Sequence, residues 1–248
     1  MDAANEHVAW AVGDDGTIGH TVDSGEHWLR QPSGTTEDLM SVSAVSSREA
    51  WAVGLHGTIL VTTDGGASWR KQTSGTRLNL LSVDAVSERV AWAAGNYGRG
   101  IMLKTVDGGA TWKAQPFAAV RSLRCVSVAS AQVAWATAGN TTLLRTVDGG
   151  ATWTKLTCRY GATGSVAALS DRVAWAVASS GTIVRTSDGG ANWTVQAAGI
   201  HSVLLSIAVA NARTAWAVGS GSTIMHSSDG GAPLEAPEPV VSRGACVV

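Results

Sequence analysis

The sequence predicts an all-β fold, a β-propeller of about six four-stranded blades, and three observations predict it. First, six tryptophans stand in the context Ala-Trp-Ala at intervals of 40 to 43 residues: Trp10, Trp51, Trp92, Trp135, Trp175 and Trp216. Second, six aspartates recur with the same spacing: Asp23, Asp64, Asp107, Asp148, Asp188 and Asp229. Third, five of these aspartates are followed five residues later by a tryptophan, so the two series account for all 11 tryptophans. One structural unit is therefore repeated along the chain.

Each unit contains four short runs rich in Val, Ile, Thr and Trp, divided by Gly, Asp and Ser. In the second unit these runs are Ser41–Ser46, Ala50–Gly54, Thr58–Thr63 and Trp69–Thr73. β-Branched and aromatic residues favour strands, and no run shows a helical period. Four strands in roughly 41 residues is the period of a propeller blade. Large tryptophans beside small alanines suit sheets that interdigitate, so we interpret the tryptophans as core residues.

The repeat divides the chain into a propeller over residues 1–232 and a C-terminal tail over residues 233–248. The units lie near residues 1–38, 39–79, 80–122, 123–162, 163–203 and 204–232. The first unit is predicted to begin at its second strand. The last is predicted to lack a regular fourth strand, because three prolines stand within Gly230–Pro239. The apolar tail is a candidate ring-closing strand, and seven blades would result if the chain is part of a longer protein.

The segment Thr-x-Asp-Gly-Gly-Ala-(Thr/Ser)-Trp matches the Asp-box, or BNR, repeat. It is clearest at Thr62–Trp69, Thr105–Trp112 and Thr146–Trp153. A short carboxylate can accept hydrogen bonds from the backbone of its own hairpin loop, and glycine permits positive φ. Because the same loop recurs in every blade, we predict a structural role and no catalytic or metal-binding role for the six box aspartates: Asp23, Asp64, Asp107, Asp148, Asp188 and Asp229.

The stretch Ala50–Gln72 resembles the photosystem II stability and assembly factor family of plants, algae and cyanobacteria, which has relatives in many other bacteria. The resemblance extends over residues 7–231. It implies a non-enzymatic propeller that holds an assembling membrane-protein subunit, with an arginine patch on one face. It also implies the thylakoid lumen or a bacterial periplasmic or extracellular location. This chain departs from the family in offering six units, where the family has seven blades, and in showing no targeting sequence.

Equivalent loops of all blades lie on the same face of a propeller, so residues that break the repeat opposite the Asp-boxes are the candidate site. Five arginines and both tyrosines of the chain fall in these loops: Arg77, Arg99, Arg121, Arg124, Arg159, Tyr97 and Tyr160. The arginine fork binds a carboxylate at two points. The patch therefore predicts a protein or peptide partner with an acidic or carboxylate-bearing segment. The alternative is that these are ordinary solvated loop charges.

Charge is segregated along the chain although the net charge is −1: residues 1–49 carry −7, residues 50–213 carry +8 and residues 214–248 carry −2. Near-neutrality argues against nucleic-acid or anionic-lipid binding as the main task. No apolar run of 18 residues predicts a membrane span. Three cysteines without a CxxC pair predict neither a disulfide framework nor a zinc site. No cofactor is predicted.

A second series precedes each box aspartate by three residues, and in five of six units its residue can be cationic: His20, Val61, Lys104, Arg145, Arg185 and His226. We interpret it as solvent-facing charge on outer strands, with a binding ring at the Asp-box end as the alternative. Two other functions stay open, a carbohydrate-binding propeller lectin and a sialidase-like glycosidase. The glycosidase would use Tyr160 as nucleophile, and Asp84 is the main acid outside the repeat pattern.

Overall fold

The computed structural model describes residues 1–96, 98–117, 120–139, 141–161, 164–178, 181–197 and 202–228. These residues form six antiparallel sheets, each built from consecutive strands, around a central channel. The protein is a six-bladed β-propeller, which confirms the predicted fold class. Five sheets have four strands, and the sixth has three strands within the described residues. In the described part of the chain, no helix is long and apolar enough to cross a bilayer.

The strands are short and are numbered from the channel outward within each blade. Their bounds are, in blade 1, β1 Asp2–Ala3, β2 Ala9–Val12, β3 Ile18–Thr21 and β4 Leu29–Gln31; in blade 2, β5 Leu39–Ala44, β6 Ala50–Gly54, β7 Ile59–Thr62 and β8 Arg70–Lys71; in blade 3, β9 Leu80–Ala85, β10 Ala91–Gly95, β11 Ile101–Thr105 and β12 Lys113–Ala114. Blades 1 and 2 each add one short 3₁₀ turn, at Asp14–Gly16 and Leu55–Gly57.

The other three blades follow the same order. Their strands are, in blade 4, β13 Cys125–Val128, β14 Ala134–Thr137, β15 Thr142–Thr146 and β16 Thr154–Thr157; in blade 5, β17 Val166–Ala168, β18 Ala174–Val177, β19 Ile183–Thr186 and β20 Thr194–Ala197; in blade 6, β21 Leu204–Val209, β22 Ala215–Gly219 and β23 Thr223–Ser227. The tail, residues 233–248, lies outside the described residues.

The prediction that the first unit begins at its second strand is wrong. Asp2 and Ala3 form a two-residue strand that pairs with β2, with Asp2 opposite Trp10. The Oδ2 atom of Asp2 accepts a hydrogen bond from the backbone N–H of Ala44 in blade 2 at 2.8 Å. A side-chain contact to the next blade thus accompanies this strand, and two residues carry no β-type sequence pattern that could have predicted it.

Adjacent blades bury the Ala-Trp-Ala segments between them. The tryptophan of one blade faces the following blade, whereas the flanking alanines face the preceding one, as in the cluster of Trp51 with Ala91 and Ala93. From blade 2 to blade 5, a box tryptophan of the following blade completes each contact edge-on: Trp112 lies 5.7 Å from Trp51 between ring centroids, Trp153 lies 5.6 Å from Trp92, and Trp193 lies 6.2 Å from Trp135. Five such clusters join blades 1 to 6 in sequence.

The interpretation of the second series as solvent-facing charge is wrong, because in blades 1 to 5 register places these residues opposite a fully buried tryptophan. Lys104 pairs with Trp92, and its Nζ lies 4.4 Å from the indole centroid. The same Nζ donates to the carbonyl oxygens of Ala131 and Gly149 in blade 4, at 3.0 and 2.8 Å. Burial lowers the pKa of Lys104. The series therefore ties neighbouring blades together.

Two further members of the series repeat this arrangement. The guanidinium carbon of Arg145 lies 5.6 Å from the Trp135 ring centroid, and its Nη1 donates to the carbonyl of Gly189 in blade 5 at 2.6 Å. His20 stacks on Trp10 with 4.5 Å between ring centroids. Cation–π contact and a charge-assisted hydrogen bond thus reinforce apolar burial at the same interface.

We expect Trp92→Ala to lower the free energy of unfolding by about 3–5 kcal/mol, because a fully buried indole and its blade contact are lost. Val147→Ala is the control, since this side chain is 48% exposed; it should cost at most about 0.5 kcal/mol. Urea denaturation of both variants measures the difference. Equal losses would show that the indole burial does not set stability.

Candidate functional site

The propeller has two chemically distinct ends. At one end, the turns between first and second strands accept hydrogen bonds from the Asp-boxes, as Gly65 N–H donates to Arg48 O at 2.8 Å and Gly189 N–H to Arg172 O at 2.9 Å. We call this end the box face. At the other end, hairpins between second and third strands meet the crossovers between blades, as Gly100 N–H donates to Val120 O at 2.9 Å. We call this end the loop face.

The Asp-boxes are closed networks of local hydrogen bonds. In blade 2, the Oδ1 of Asp64 accepts from the Thr62 hydroxyl at 2.8 Å and from Ser68 N–H at 3.0 Å. Its Oδ2 accepts from the Ser68 hydroxyl at 2.6 Å. Asp23, Asp107, Asp148 and Asp188 accept hydrogen bonds in the same way. Asp229 lies outside the described residues.

The boxes also form hydrogen bonds with the preceding blade. Gln31 in β4 donates to Gly65 O at 2.9 Å and accepts from the Trp69 indole N–H at 2.9 Å. Gly66 has φ +84°, and a Cβ at this position would collide with Gln31. The glycine is thus required both by its conformation and by the neighbouring side chain.

These hydrogen bonds stabilise the ionised carboxylates. They lower the pKa of Asp64, Asp107, Asp148 and Asp188 to about 2, from 3.8. The pKa of Asp23 is lowered as well, chiefly through the backbone N–H of His27. A proton acceptor with such a low pKa is a weak general base at neutral pH. The box chemistry therefore suits a loop that is held rigid.

The predicted arginines are exposed and lie in loops at the loop face. Arg77 precedes β9, Arg121 and Arg124 precede β13, Arg159 follows β16, and Arg99 stands in the hairpin between β10 and β11. The hydrogen bond from Gly100 to Val120 brings together the segments that carry Arg99 and Arg121, because each arginine is adjacent to one of the bonded residues. Tyr97, the other predicted residue of that hairpin, lies outside the described residues.

Three grooves at the rim of the propeller each contain one of these arginines, Arg77, Arg99 or Arg159. A groove of about 680 Å³ is lined by Arg77, His56 and Lys71 together with hydroxyl and glycine residues. A second, of about 590 Å³, is lined by Arg99 and Phe117. The two grooves share the turn Ser74–Thr76, so they are adjacent. No Asp or Glu is among the lining residues described for either groove.

The third groove, of about 240 Å³, lies between blades 4 and 5. Arg159, Tyr160, Asn192 and Trp193 line it. The Arg159 Nη2 donates to the Tyr160 hydroxyl oxygen at 2.6 Å, and the guanidinium carbon lies 4.8 Å from the Tyr160 ring centroid. Tyr160 is half-buried against the blade interface, so the phenol holds the exposed arginine in place. No described contact brings Arg159 or Arg124 together with Arg77.

Two basic residues of the loop-face grooves, His56 and Lys71, are absent from the predicted patch. His56 Nδ1 lies 2.6 Å from Glu37 Oε2, which links the hairpin of blade 2 to the preceding crossover. Lys71 stands in the edge strand β8 and lines two neighbouring grooves. The repeat carries a cation at the position of Lys71 in the first unit too, Arg30, so the residue does not stand out by breaking the pattern.

The central channel, with a volume of about 400 Å³, collects the polar residues of the first strands. Six of them, Asp2, Ser41, Ser43, Ser82, Asp84 and Ser127, accept a hydrogen bond from a backbone N–H of the following blade; Ser43 accepts from Ala85 at 3.1 Å, and Asp84 accepts from Val128 at 2.7 Å. Desolvation, with the charge of Asp2 as a smaller cause, raises the pKa of Asp84 to about 7. Asp2 is the channel carboxylate that sequence reasoning missed.

A second carboxyl with a raised pKa lies at the box face. Glu49 is buried at a position where Val8, Val90 and Val133 stand in other blades. Desolvation and the nearby Glu88 raise its pKa to about 7. Neither Asp84 nor Glu49 shares a groove with the predicted arginines in the described part of the chain.

The fold and the repeated hydrogen-bonded box define the class of protein, an Asp-box β-propeller. The sequence profile described as "Photosynthesis system II assembly factor YCF48" matches residues 75–202, just over half of the chain. The protein belongs to this family, which confirms the resemblance found in the sequence. No curated protein sequence matches the chain.

Several solved structures share the fold. YCF48 from Cyanidioschyzon merolae is 21% identical, with a TM-score of 0.75 over 98% of this chain and 85% of that chain. A YCF48 bound to a D1 peptide is 20% identical, with a TM-score of 0.73 over 95% of this chain and 78% of that one. An ancestral GH74 enzyme is 13% identical, with a TM-score of 0.72 over 91% of this chain and 35% of the enzyme.

We expect Asp107→Ala to lower the melting temperature at pH 7, because backbone and hydroxyl donors of the box lose their acceptor. The carboxylate has a lowered pKa in the folded state, so its contribution is present above pH 4 and is lost as pH falls towards 2. The deficit of the variant should therefore shrink between pH 4 and 2. Thermal unfolding across this pH range measures the difference in melting temperature between the variant and wild type, with the exposed Asp171→Ala as control. A difference that is unchanged at pH 2 would contradict the structural role of the Asp107 carboxylate.

Asp84 should give the opposite pH dependence. Its pKa is raised when folded, so the native state takes up a proton as pH falls through 7, whereas the unfolded chain does so only near pH 4. Wild type should thus gain stability between pH 8 and 5. Asp84→Asn should be more stable than wild type at pH 8, with the difference narrowing by pH 5. Adding Glu49→Gln should reduce the pH dependence of the free energy of unfolding further. An unaltered pH dependence in both variants would contradict this prediction.

Proposed function

We propose that this protein is a non-enzymatic, peptide-binding assembly factor that contacts an acidic or carboxylate-bearing segment of a membrane-protein partner through its loop face. The observation that carries the proposal is the lining of the three loop-face and rim grooves. Each contains one of the predicted arginines, and none is lined by a described carboxylate. A carboxylate entering such a groove would meet arginine donors, although in the groove of Arg77 the Glu37 carboxylate is already bonded to the lining residue His56.

Family membership and fold support a peptide as the ligand. The family takes its description from an assembly factor, and one structural relative was solved bound to a D1 peptide. The proposed contact set is Arg77, Arg99, Arg121, Arg124 and Arg159 with Tyr160, and Tyr97 belongs to it from the sequence. Arg159 is already stacked on its tyrosine, so less side-chain freedom is lost when a ligand binds it.

The charge of the grooves on the loop face differs from blade to blade. The first groove, between blades 1 and 2, is lined by Asp15 and Glu37 as well as by Arg30 and Lys71. The grooves that follow it contain cations alone among their charged described residues. An acidic segment would therefore bind along blades 2 to 5 and avoid blade 1.

A glycosidase is the weaker alternative. Tyr160 lies in the rim groove between blades 4 and 5, whereas Asp84 lines the central channel, and the two sets of described lining residues share no member. Nucleophile and acid must flank one bond in such an enzyme. The likeness to the GH74 enzyme concerns the fold, since identity is 13%.

The arginine patch can be tested by charge reversal. We expect Arg124→Glu with Arg159→Glu to weaken binding of a fluorescent D1 peptide by about 2 kcal/mol, through lost charge-assisted hydrogen bonds. Raising salt should weaken wild-type binding and affect the variant less, because exposed charges are screened within about 8–10 Å. Anisotropy titrations at two salt concentrations measure both effects.

The matched control is Arg89→Glu with Arg172→Glu, which reverses two exposed charges on the box face. This variant should bind with wild-type affinity. Equal weakening by both pairs would mean that net charge governs binding, and equal affinities throughout would place the site elsewhere.

A further inference from the structure

One groove of the loop face differs in chemistry from its neighbours. The groove of about 590 Å³ that contains Arg99 is lined mostly by apolar residues, among them Leu78, Ile101 and Trp112. Arg99 is the one charged residue in the lining that the structure describes. The adjoining groove of Arg77 has no apolar side chain among its described lining residues. We call the groove of Arg99 the apolar groove.

The first departure from the repeat at this groove is Phe117, the single phenylalanine of the chain. Blades 1 and 2 carry Ser33 and Ser74 at the same distance from the box tryptophan. Both serines are buried, and their hydroxyls donate to Thr35 O at 3.1 Å and to Thr76 O at 3.2 Å. Phe117 cannot make this bond. It lines the groove and packs, half-buried, on the apolar cluster between blades 3 and 4. An apolar wall thus replaces a polar turn.

The second departure is Ala114 in the edge strand β12. In blades 1, 2 and 4 the edge strand has a long basic side chain at this position: Arg30, Lys71 and Lys155. The register is the same, since Ala114 pairs with Leu103 as Lys155 pairs with Leu144. Long basic side chains lay their methylene stems along apolar surface. Ala114 lines the groove, so its small side chain leaves open a surface that such a stem would cover.

The fold requires neither departure, because other blades carry polar residues at both positions. An apolar groove that is open to water gains free energy when an apolar side chain enters it. Its charge also selects the occupant: Arg99 lines it, and no Asp or Glu is among its described lining residues. Across the shared turn Ser74–Thr76 lies the groove of Arg77, His56 and Lys71. The complementary ligand therefore combines an apolar side chain with nearby carboxylates.

We propose that the apolar groove is a specificity subsite that binds a large aliphatic side chain of the peptide partner, flanked in the peptide by the acidic residues that bind the neighbouring arginines. This inference rests on the proposed function and adds a second requirement to the ligand. Side chains two residues apart in an extended peptide lie roughly 7 Å from each other on the same side. A short acidic segment with one central aliphatic residue can therefore contact both adjacent grooves.

Two matched peptides test the subsite, fluorescently labelled Gly-Glu-Glu-X-Glu-Glu-Gly with X as leucine or alanine. Wild type should bind the leucine peptide about tenfold more tightly in anisotropy titrations, because the larger side chain leaves water. Ala114→Lys and Phe117→Ser restore the residue types of other blades, and each should reduce this ratio to about threefold or less. Phe117→Leu keeps the groove apolar and should keep the ratio. Since both peptides are titrated against the same protein sample, differences in the folded fraction cancel.

Several results would overturn the proposal. If wild type binds both peptides equally and in a salt-dependent manner, the subsite is wrong while acidic-peptide binding stands. If neither peptide binds, the subsite and the proposed function both fail. An unchanged ratio in Ala114→Lys and Phe117→Ser would place the leucine elsewhere. Sedimentation velocity covers the remaining occupant, since a wild-type dimer that Phe117→Ser dissociates would show that a second copy fills the groove.

Discussion

The structure depends on one repeated interaction, the burial of the Ala-Trp-Ala indole between two blades. The small alanines of one sheet leave room for the indole of the sheet before it, and a box tryptophan closes the contact from the edge. A single blade could not bury such a residue, so each sheet is stable only beside its neighbours. The Asp-box loop follows from the same constraint, because it positions the second tryptophan of the interfaces that join blades 1 to 5.

Polar groups reinforce this apolar contact at both ends of the blade interface. Near the channel, Ser43 and Asp84 cap backbone N–H groups that face the next blade. Near the box face, Lys104 and Arg145 stack on an indole and donate to carbonyls across the interface. A buried donor without an acceptor would cost about 1–3 kcal/mol, so these bonds favour the register that the tryptophans set.

The periodic features of the fold could be predicted from the sequence. The Ala-Trp-Ala spacing predicted six blades, and in blade 2 the second predicted strand, Ala50–Gly54, agrees with the structure residue for residue. Other features depend on contacts between units and could not be predicted from spacing. Asp2 forms a strand whose carboxylate is bonded to a backbone N–H 42 residues away. The loops of Arg99 and Arg121 meet because Gly100 bonds Val120, a pairing that no local pattern encodes.

Arginine and lysine therefore serve two roles that composition alone does not separate. Residues 50–213 carry a formal +8, yet Lys104, Arg145 and Arg185 lie against tryptophans between blades, and two of them donate to carbonyls there. A charge held this way adds to the field of the protein but offers few donors to a ligand. Arg159 has a different environment, since it is exposed and rests on a half-buried phenol. Register separates the two environments: Lys104 and Arg145 lie opposite Ala-Trp-Ala tryptophans and donate to the next blade, whereas Arg159 lies in a crossover and is exposed.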